Sequence, residues 1–486
     1  MSQPGQLARL FRASGIYAIG NTLNRLGGFL LLPLYTRHLS VSEYGTLEFI
    51  YAVSSIVGGI LSVGIASATL RFYFDYEAEA DRNAVISTNF WASLAISGVG
   101  SLAVWLGLAY FHGQVFPPDT PRLAVPLMLA AICLELSTEV CLAYIRAREM
   151  PRFFVVMSLA KLLIQCAANI YFVRVADAGI VGVLSGNLLA IGTGWLVLAV
   201  YCLKTCGSRL ELAKLMPVLR YCAPYLGTTL VGIVAGNFDR FLINGVLSVQ
   251  ALGIYALALK FSRILGDFVG VPFNLAFGAY RYTIMSLPDA GPLQARIVRY
   301  LSCLLALLGL GLCYFLIDLL RVMTTPEYWP AADLMPMLAL ASIMGVVTVP
   351  LQTGILYKKR TQELLYITIV AAGCGLPLAW GGAKLFGLHG VCGAMAVTSV
   401  LTVALTGWYG HRHFPVRYEA GKLAALAALW CAFVYLPLAM PPLTPLAGMA
   451  SKAALLVAFA ILLVVLRIVD AAELRQAVAG VRRRNA

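Results

Sequence analysis

Arg25, Lys161, Arg240, Lys260 and Arg263 are cations set in otherwise apolar stretches, and Glu135, Glu139, Asp239 and Asp267 are the anions that share those stretches. A charge at the centre of a bilayer costs about 2.5–3.5 kcal/mol on an insertion scale, so in a spanning helix such residues face an aqueous cavity or one another. Their spacing groups them. Tyr17, Asn21, Asn24, Arg25 and Gly28 share one helical face through intervals of three, four and seven. Lys260, Arg263, Asp267 and Asn274 form a second stripe. Asn237, Arg240 and Asn244 form a third, with Asp239 beside it, and Glu135 and Glu139 stand one turn apart. Fixed positive charge in a cavity suits a phosphate or pyrophosphate head group. Arg25, Arg240 and Arg263 are expected to hold it, because a guanidinium stays charged when desolvated and offers a bidentate fork, with Lys260 as a point charge beside them. Asn21, Asn24, Asp239, Asp267 and Asn274 are expected to complete the polar lining. Glu135 and Glu139 are the candidates for proton or sodium coupling, since burial raises a carboxylate pKa toward the working range. The competing reading is internal ion pairing, which Arg263 and Asp267, one turn apart, would satisfy.

Other chemistry is not signalled. The 11 cysteines contain no CxxC pair and most lie in apolar stretches, as Cys133, Cys166, Cys313 and Cys392 do, so they read as small hydrophobes without a metal or disulfide framework. The five histidines, His38, His112, His389, His411 and His413, read as loop or interface residues, with His411 and His413 in a solvated basic loop. No phosphate-binding loop of the Walker type is present, no catalytic constellation stands out, and no cofactor is expected.

The elements that must position these residues are spanning helices. Of 486 residues 60% are hydrophobic and 12% charged, and the mean hydropathy is +0.83, too little charge to cover a water-soluble domain. Fourteen spans are expected near 14–36, 44–70, 86–110, 123–145, 152–173, 180–202, 220–246, 251–278, 296–320, 331–356, 362–383, 388–410, 421–440 and 446–468. The first is expected to remain as a span and not to be a cleaved signal, since it is long, contains Arg25 and is followed at once by another. Pro33 ends span 1, Pro224 opens span 7 and Pro272 interrupts span 8, where each frees a carbonyl and permits a kink. The net charge of +14 does not imply nucleic acid, because the basic residues sit in short loops. By count roughly 25 of the 36 basic residues fall on one side, in groups such as Arg146, Arg148 and Arg152, Lys358, Lys359 and Arg360, and Arg482 to Arg484. That bias places both termini in the cytoplasm and requires an even number of spans.

The chain also repeats. Leu39-Ser40-Val41 with Gly45 recurs as Leu247-Ser248-Val249 with Gly253, and Gly179, Gly182 and Val183 recur as Gly387, Gly390 and Val391, each at a shift of 208 (247 − 39 and 387 − 179). The basic turn at Arg146 and Arg148 corresponds within a few residues to Lys358-Lys359-Arg360. Six is an even number of spans, so the copies run parallel, and a parallel repeat is a transporter's architecture. The expected fold is an all-α polytopic membrane protein of two six-helix bundles, residues 1–219 and 220–411, with two further spans and a basic tail in 412–486.

Three segments carry a family resemblance: Asn21 to Gly45, Leu70 to Glu77 (LRFYFDYE), and Asn237 to Leu265 with its Asp-Arg pair and Leu-Gly-Ile-Tyr-Ala entry. The chain resembles the Wzx-type polysaccharide biosynthesis flippases of the multidrug/oligosaccharidyl-lipid/polysaccharide (MOP) exporter superfamily, over spans 1–12. The resemblance implies a transporter, not an enzyme, that flips an undecaprenyl-pyrophosphate-linked oligosaccharide, an O-antigen or exopolysaccharide repeat unit, from the cytoplasmic to the periplasmic leaflet of a bacterial inner membrane by alternating access. It implies membrane lipids, a polysaccharide polymerase and a chain-length regulator as partners, and no nucleic acid. By analogy with lipid II flippases, Arg25 and Arg263 match their pyrophosphate-binding arginines in helix and depth, although span 2 is apolar as far as Arg71, unlike theirs. A cation-coupled multidrug exporter is the alternative, and it predicts an acidic cavity. A glycan polymerase or ligase needs a large loop that the short loops here do not supply, and a non-transporting subunit of a synthase complex is the remaining reading.

Overall fold

The computed structural model describes residues 20, 22, 27–285, 289–436 and 445–470. Asn21, Asn24 and Arg25 of the expected phosphate site lie outside them, as do Tyr17 and the basic tail at Arg482 to Arg484. Among the described residues every regular element is helical, and the chain divides into two compact units. Unit 1 comprises residues 1–244 and 248–253, and unit 2 comprises 245–247 and 254–486.

In unit 1, α1 (Leu32–His38) leads into α2 (Val41–Ser62), α3 (Ile65–Asp75) and α4 (Glu79–Val115). Ser40 caps α2 reciprocally: its hydroxyl accepts the Glu43 N–H at 3.2 Å and its own N–H donates to the Glu43 carboxylate at 2.9 Å, which satisfies two donors the helix start would otherwise orphan. The second span, expected as one helix over 44–70, breaks where Val63 (φ 49°) and Gly64 (φ 77°) enter the left-handed region. Next come α5 (Ala124–Ala147), α6 (Pro151–Asn169), a π-helical turn at Ile170–Val175, α7 (Gly179–Cys206) and α8 (Leu212–Val246). Buried Ile86, Phe90, Val140, Tyr144 and Leu198 join α4, α5 and α7 around one core.

In unit 2, α9 (Val249–Ile264), whose first residues as far as Gly253 belong to unit 1, passes through a π-helical turn at Leu265–Gly270 into α10 (Val271–Met285). Pro272, expected to interrupt this span, explains the wide turn. It has no N–H to donate, and its ring crowds the carbonyl four residues back, which falls inside the turn. Beyond lie α11 (Ala290–Met323), a 3-10 turn (Pro326–Ala332), α12 (Met335–Leu351), α13 (Thr353–Tyr357), α14 (Thr361–His413), α15 (Ala420–Tyr435) and α16 (Pro445–Val465). α14 is two spans joined at Gly387 (φ 59°, ψ −136°). The arms pack so closely that a Cβ on Gly390 would lie 2.0 Å from the Gly382 carbonyl oxygen. Among the described residues nine helices are long and apolar enough to cross a membrane, and α14 supplies two crossings. This is a multi-pass membrane protein.

The repeat is visible in the backbone. Gly179 and Gly387, 208 apart, both hold a positive φ, 51° and 59°. The two basic turns share one cap. Glu149 (φ 52°) and Lys359 (φ 56°) are left-handed. Met150 N–H donates to Ile145 O at 3.1 Å and Arg360 N–H to Ile355 O at 3.0 Å, the six-to-one bond of a Schellman motif. Within unit 1 the repeated segments also touch. A Cβ on Gly45 would lie 2.0 Å from Val249 O, and one on Gly253 would lie 2.4 Å from Val41 O. Because 249 − 41 and 253 − 45 are both 208, each contact is the image of the other.

Candidate functional site

The polar residues of unit 1 converge on α6. Ser158, Lys161, Gln165 and Asn169 follow one another at intervals of three and four, so they form one stripe along the helix. At one end the stripe meets a buried net of uncharged groups. Tyr35 on α1 donates its hydroxyl to Asn169 Oδ1 at 3.0 Å. Asn169 and Gln165 both donate to Asn187 Oδ1 on α7, at 3.3 and 2.9 Å. Asn187 donates in turn to the Tyr51 hydroxyl on α2 at 2.8 Å. Four helices are therefore tied by side chains that lipid would leave unsatisfied. Gly186 makes the room: a Cβ there would lie 2.8 Å from the Asn169 amide nitrogen. Buried Glu48 lies one turn before Tyr51 on α2.

Further along the stripe a cavity of about 340 Å³ opens among α5, α6 and α7, lined by Glu135, Thr138, Glu139, Ser158, Lys161 and Trp195 with apolar neighbours. Lys161 Nζ lies 3.4 Å from Glu135 and Arg146 lies 3.8 Å from Glu139. Trp195 donates its indole N–H to Ser137 at 2.8 Å, which fixes the ring. The two carboxylates expected to couple an ion thus share a cavity, with a lysine between the cavity and the amide net. Such a site offers hydrogen-bond donors and acceptors and two carboxylates that can take a proton or a cation.

The other expected residues fall differently. Arg240, on α8 in unit 1, is buried, and its guanidinium donates to Asn237 Oδ1 at 2.8 Å. Asn237 reaches the Ser55 hydroxyl at 3.4 Å. The Asn237–Arg240 face is therefore a packed face, with Asp239 beside it partly buried. In unit 2, Lys260 and Asp267 are partly buried, whereas Arg263 and Asn274 are exposed. The π-helical turn at Leu265–Gly270 lies between Arg263 and Asn274, so the stripe drawn for a continuous α-helix does not run straight through it. His411 and His413 lie in the last turn of α14 and not in a loop, and His413 Nε2 meets the Glu363 carboxylate at 2.7 Å. His411 is exposed, as expected, but His413 is not a solvated loop residue, because a 53-residue helical hairpin brings its two ends together.

The α6 stripe and its amide net were not singled out from the sequence. The signal is there, in Gln165 and Asn169 one turn apart within an apolar span, but it is carried by uncharged amides.

The fold has counterparts among solved membrane proteins. It is similar to the lipid II flippase MurJ in an inward closed conformation, with TM-score 0.69 and 12% identity over 91% of this chain and 97% of that one. It is also similar to the Vibrio cholerae MATE transporter VcmN (TM-score 0.55, 15% identity, 83% and 96% coverage) and to a multidrug resistance MATE family transporter of the MOP superfamily in an inward-facing conformation (0.57, 12%, 85% and 96%). The chain belongs to the polysaccharide biosynthesis protein family, whose model matches residues 10–277. A curated relative, the Lsg locus putative protein 1 of Haemophilus influenzae, is 28% identical over 98 residues, which are 20% of this chain and about a quarter (24%) of the relative. The all-helical, polytopic membrane fold expected from the sequence is the one found.

Proposed function

We propose that this protein flips a lipid-linked oligosaccharide, joined to undecaprenyl through pyrophosphate, from the cytoplasmic to the periplasmic leaflet of a bacterial inner membrane, with both termini cytoplasmic. Family membership and fold support a flippase-type transporter of polysaccharide biosynthesis. The observation that carries the reading further is the polar stripe of α6 with its cavity, an arrangement that has no place in lipid unless a hydrophilic cargo or ion visits it. In this reading Arg263 and Lys260, with Arg25, hold the pyrophosphate, and Arg240 supports α8 from within. Glu135 and Glu139 take the coupling proton or sodium ion. A multidrug exporter is the competing reading, and the MATE transporters of similar fold keep it in view.

Deletion of the gene tests the class. Lipid-linked repeat units are expected to accumulate on the cytoplasmic side, and a plasmid copy is expected to clear them. Repeat units that reach the periplasm normally in the deletion strain refute the flippase reading. Arg263→Ala is expected to abolish export at normal membrane levels. Arg263→Ala/Asp267→Ala is expected to stay inactive, and a working double variant reduces these charges to a structural pair.

A further inference from the structure

A second cavity, of about 360 Å³, lies wholly within unit 2 among α11, α12, the second arm of α14 and α15. Its wall runs from Val298, Leu351 and Tyr418 at one end to Ile343 and Trp430 at the other. Two of the polar groups on the wall are already engaged. Ser302 donates its hydroxyl to Val298 O at 2.8 Å, and Trp430 donates its indole N–H to Ala306 O at 3.0 Å. A water molecule needs two to four polar partners, so this space does not hold water, and close-packed interiors do not leave voids of this size empty. Along α15 the lining extends from Ala420 to Cys431, eleven residues or ~16 Å of helix at 1.5 Å each. The slot is therefore long and apolar beside most of α15, which suits an extended hydrocarbon chain.

The mouth has a charge to match a head group. Arg299, adjacent to Val298, is almost fully buried and hydrogen-bonds the Glu419 carboxylate. Lys422 lies 3.3 Å from the same carboxylate and is more than a third exposed. Two cations and one carboxylate therefore stand where Tyr418, Ala420 and Leu423 open the slot. Arg299 is buried against Glu419, whereas Lys422, bonded to the same carboxylate, is more than a third exposed and presents its ammonium to solvent as a compact point charge for phosphate.

We propose that unit 2 holds a structural phospholipid, with one acyl chain in this slot and an anionic phosphate head group at Lys422. With the termini cytoplasmic, as proposed above from the loop charges, this mouth faces the cytoplasm and the lipid comes from the cytoplasmic leaflet. The site is separate from the α6 cavity and stands whether or not the flippase reading does.

The test is native mass spectrometry of the full chain, purified from micelles that contain equimolar phosphatidylglycerol and phosphatidylcholine of equal chain length. The wild type is expected to retain one phosphatidylglycerol, at least threefold over phosphatidylcholine. Gly407→Phe is expected to lose at least tenfold in retained lipid. Gly407 lines the slot, and a Cβ there meets only Leu351 Cδ1 at 3.9 Å, so the ring enters the space without moving backbone. Should that variant not give monodisperse protein, Ala404→Leu fills the same slot with three carbons and carries the same expectation. Lys422→Gln is expected to keep a lipid and lose the preference. Equal retention in a filled variant, or no anionic preference in the wild type, overturns the proposal. So does displacement of phosphatidylglycerol by equimolar undecaprenyl phosphate, which makes the slot a polyprenyl site.

Discussion

Replacing Gly45 with alanine puts a methyl group where no side chain can yield. The added Cβ would lie 2.0 Å from Val249 O and 3.0 Å from Gly253 N, all backbone atoms. Real Cβ contacts essentially never fall under 3.0 Å, so the segments must part by at least 1.0 Å (3.0 − 2.0). Overpacking a close contact costs about 1–3 kcal/mol, and a clash with backbone belongs at the upper end. Gly58 on the same helix is the control, since its added Cβ would meet only Ile132 Cγ2 at 3.9 Å, and alanine there gains ~0.5–1 kcal/mol of helix preference. The two variants should differ by about 4 kcal/mol, which for a unit of this size is of order 10 °C in melting midpoint. Heating detergent-solubilised protein and measuring the monodisperse fraction by size exclusion reads that difference. Midpoints that agree within experimental scatter would falsify the close-contact argument.

Asn187→Ala should strand the Gln165 amide and the Tyr51 hydroxyl, at a cost of about 1–3 kcal/mol; a melting curve that does not move counts against the net. Glu135→Gln and Glu139→Gln should each lower export at unchanged membrane levels, measured as repeat units reaching the periplasm, and unimpaired export by the double variant removes both from the coupling role. Burial raises the Glu419 carboxyl, but the bonds from Arg299 and Lys422 overcome this and hold it below the usual carboxylate range. A lowered folded pKa gives stability that is complete above the unfolded value and lost as pH falls through the folded one. The wild type should therefore lose stability progressively below about pH 4.5 and converge on Glu419→Gln, which is less stable at neutral pH; parallel acid limbs contradict this. A periplasm-only reporter fused after Ala486 should be silent, and activity refutes the cytoplasmic C-terminus.

The legible parts of this chain are those with a period. Apolar runs mark the spans, and the shift of 208 pairs Gly179 with Gly387, which share a left-handed backbone. The basic turns at Arg146 and Lys358 end in the same Schellman cap. The α6 net was harder to read because its members are neutral and far apart in the chain: Tyr35 and Asn169 are 134 residues apart, Tyr51 and Asn187 136. The Lys260 stripe assumed 3.6 residues per turn through Leu265–Gly270, where the helix widens. Arg240 was read as lining a cavity because an arginine in an apolar span must find polar company, and it finds Asn237 one turn away on its own helix. Periodicity states which residues share a face; it does not state whether that face meets water or another helix.

The Gly45–Val249 and Gly253–Val41 contacts have the form of an isologous interface, in which each patch meets its own counterpart. Two separate half-length chains carrying that segment would make the same pair of contacts across a two-fold axis. A duplication that fused such chains would inherit the contact ready made, with no residue changed to create it. Drift would then be resisted at these two glycines, because a methyl group added to either one breaks the contact.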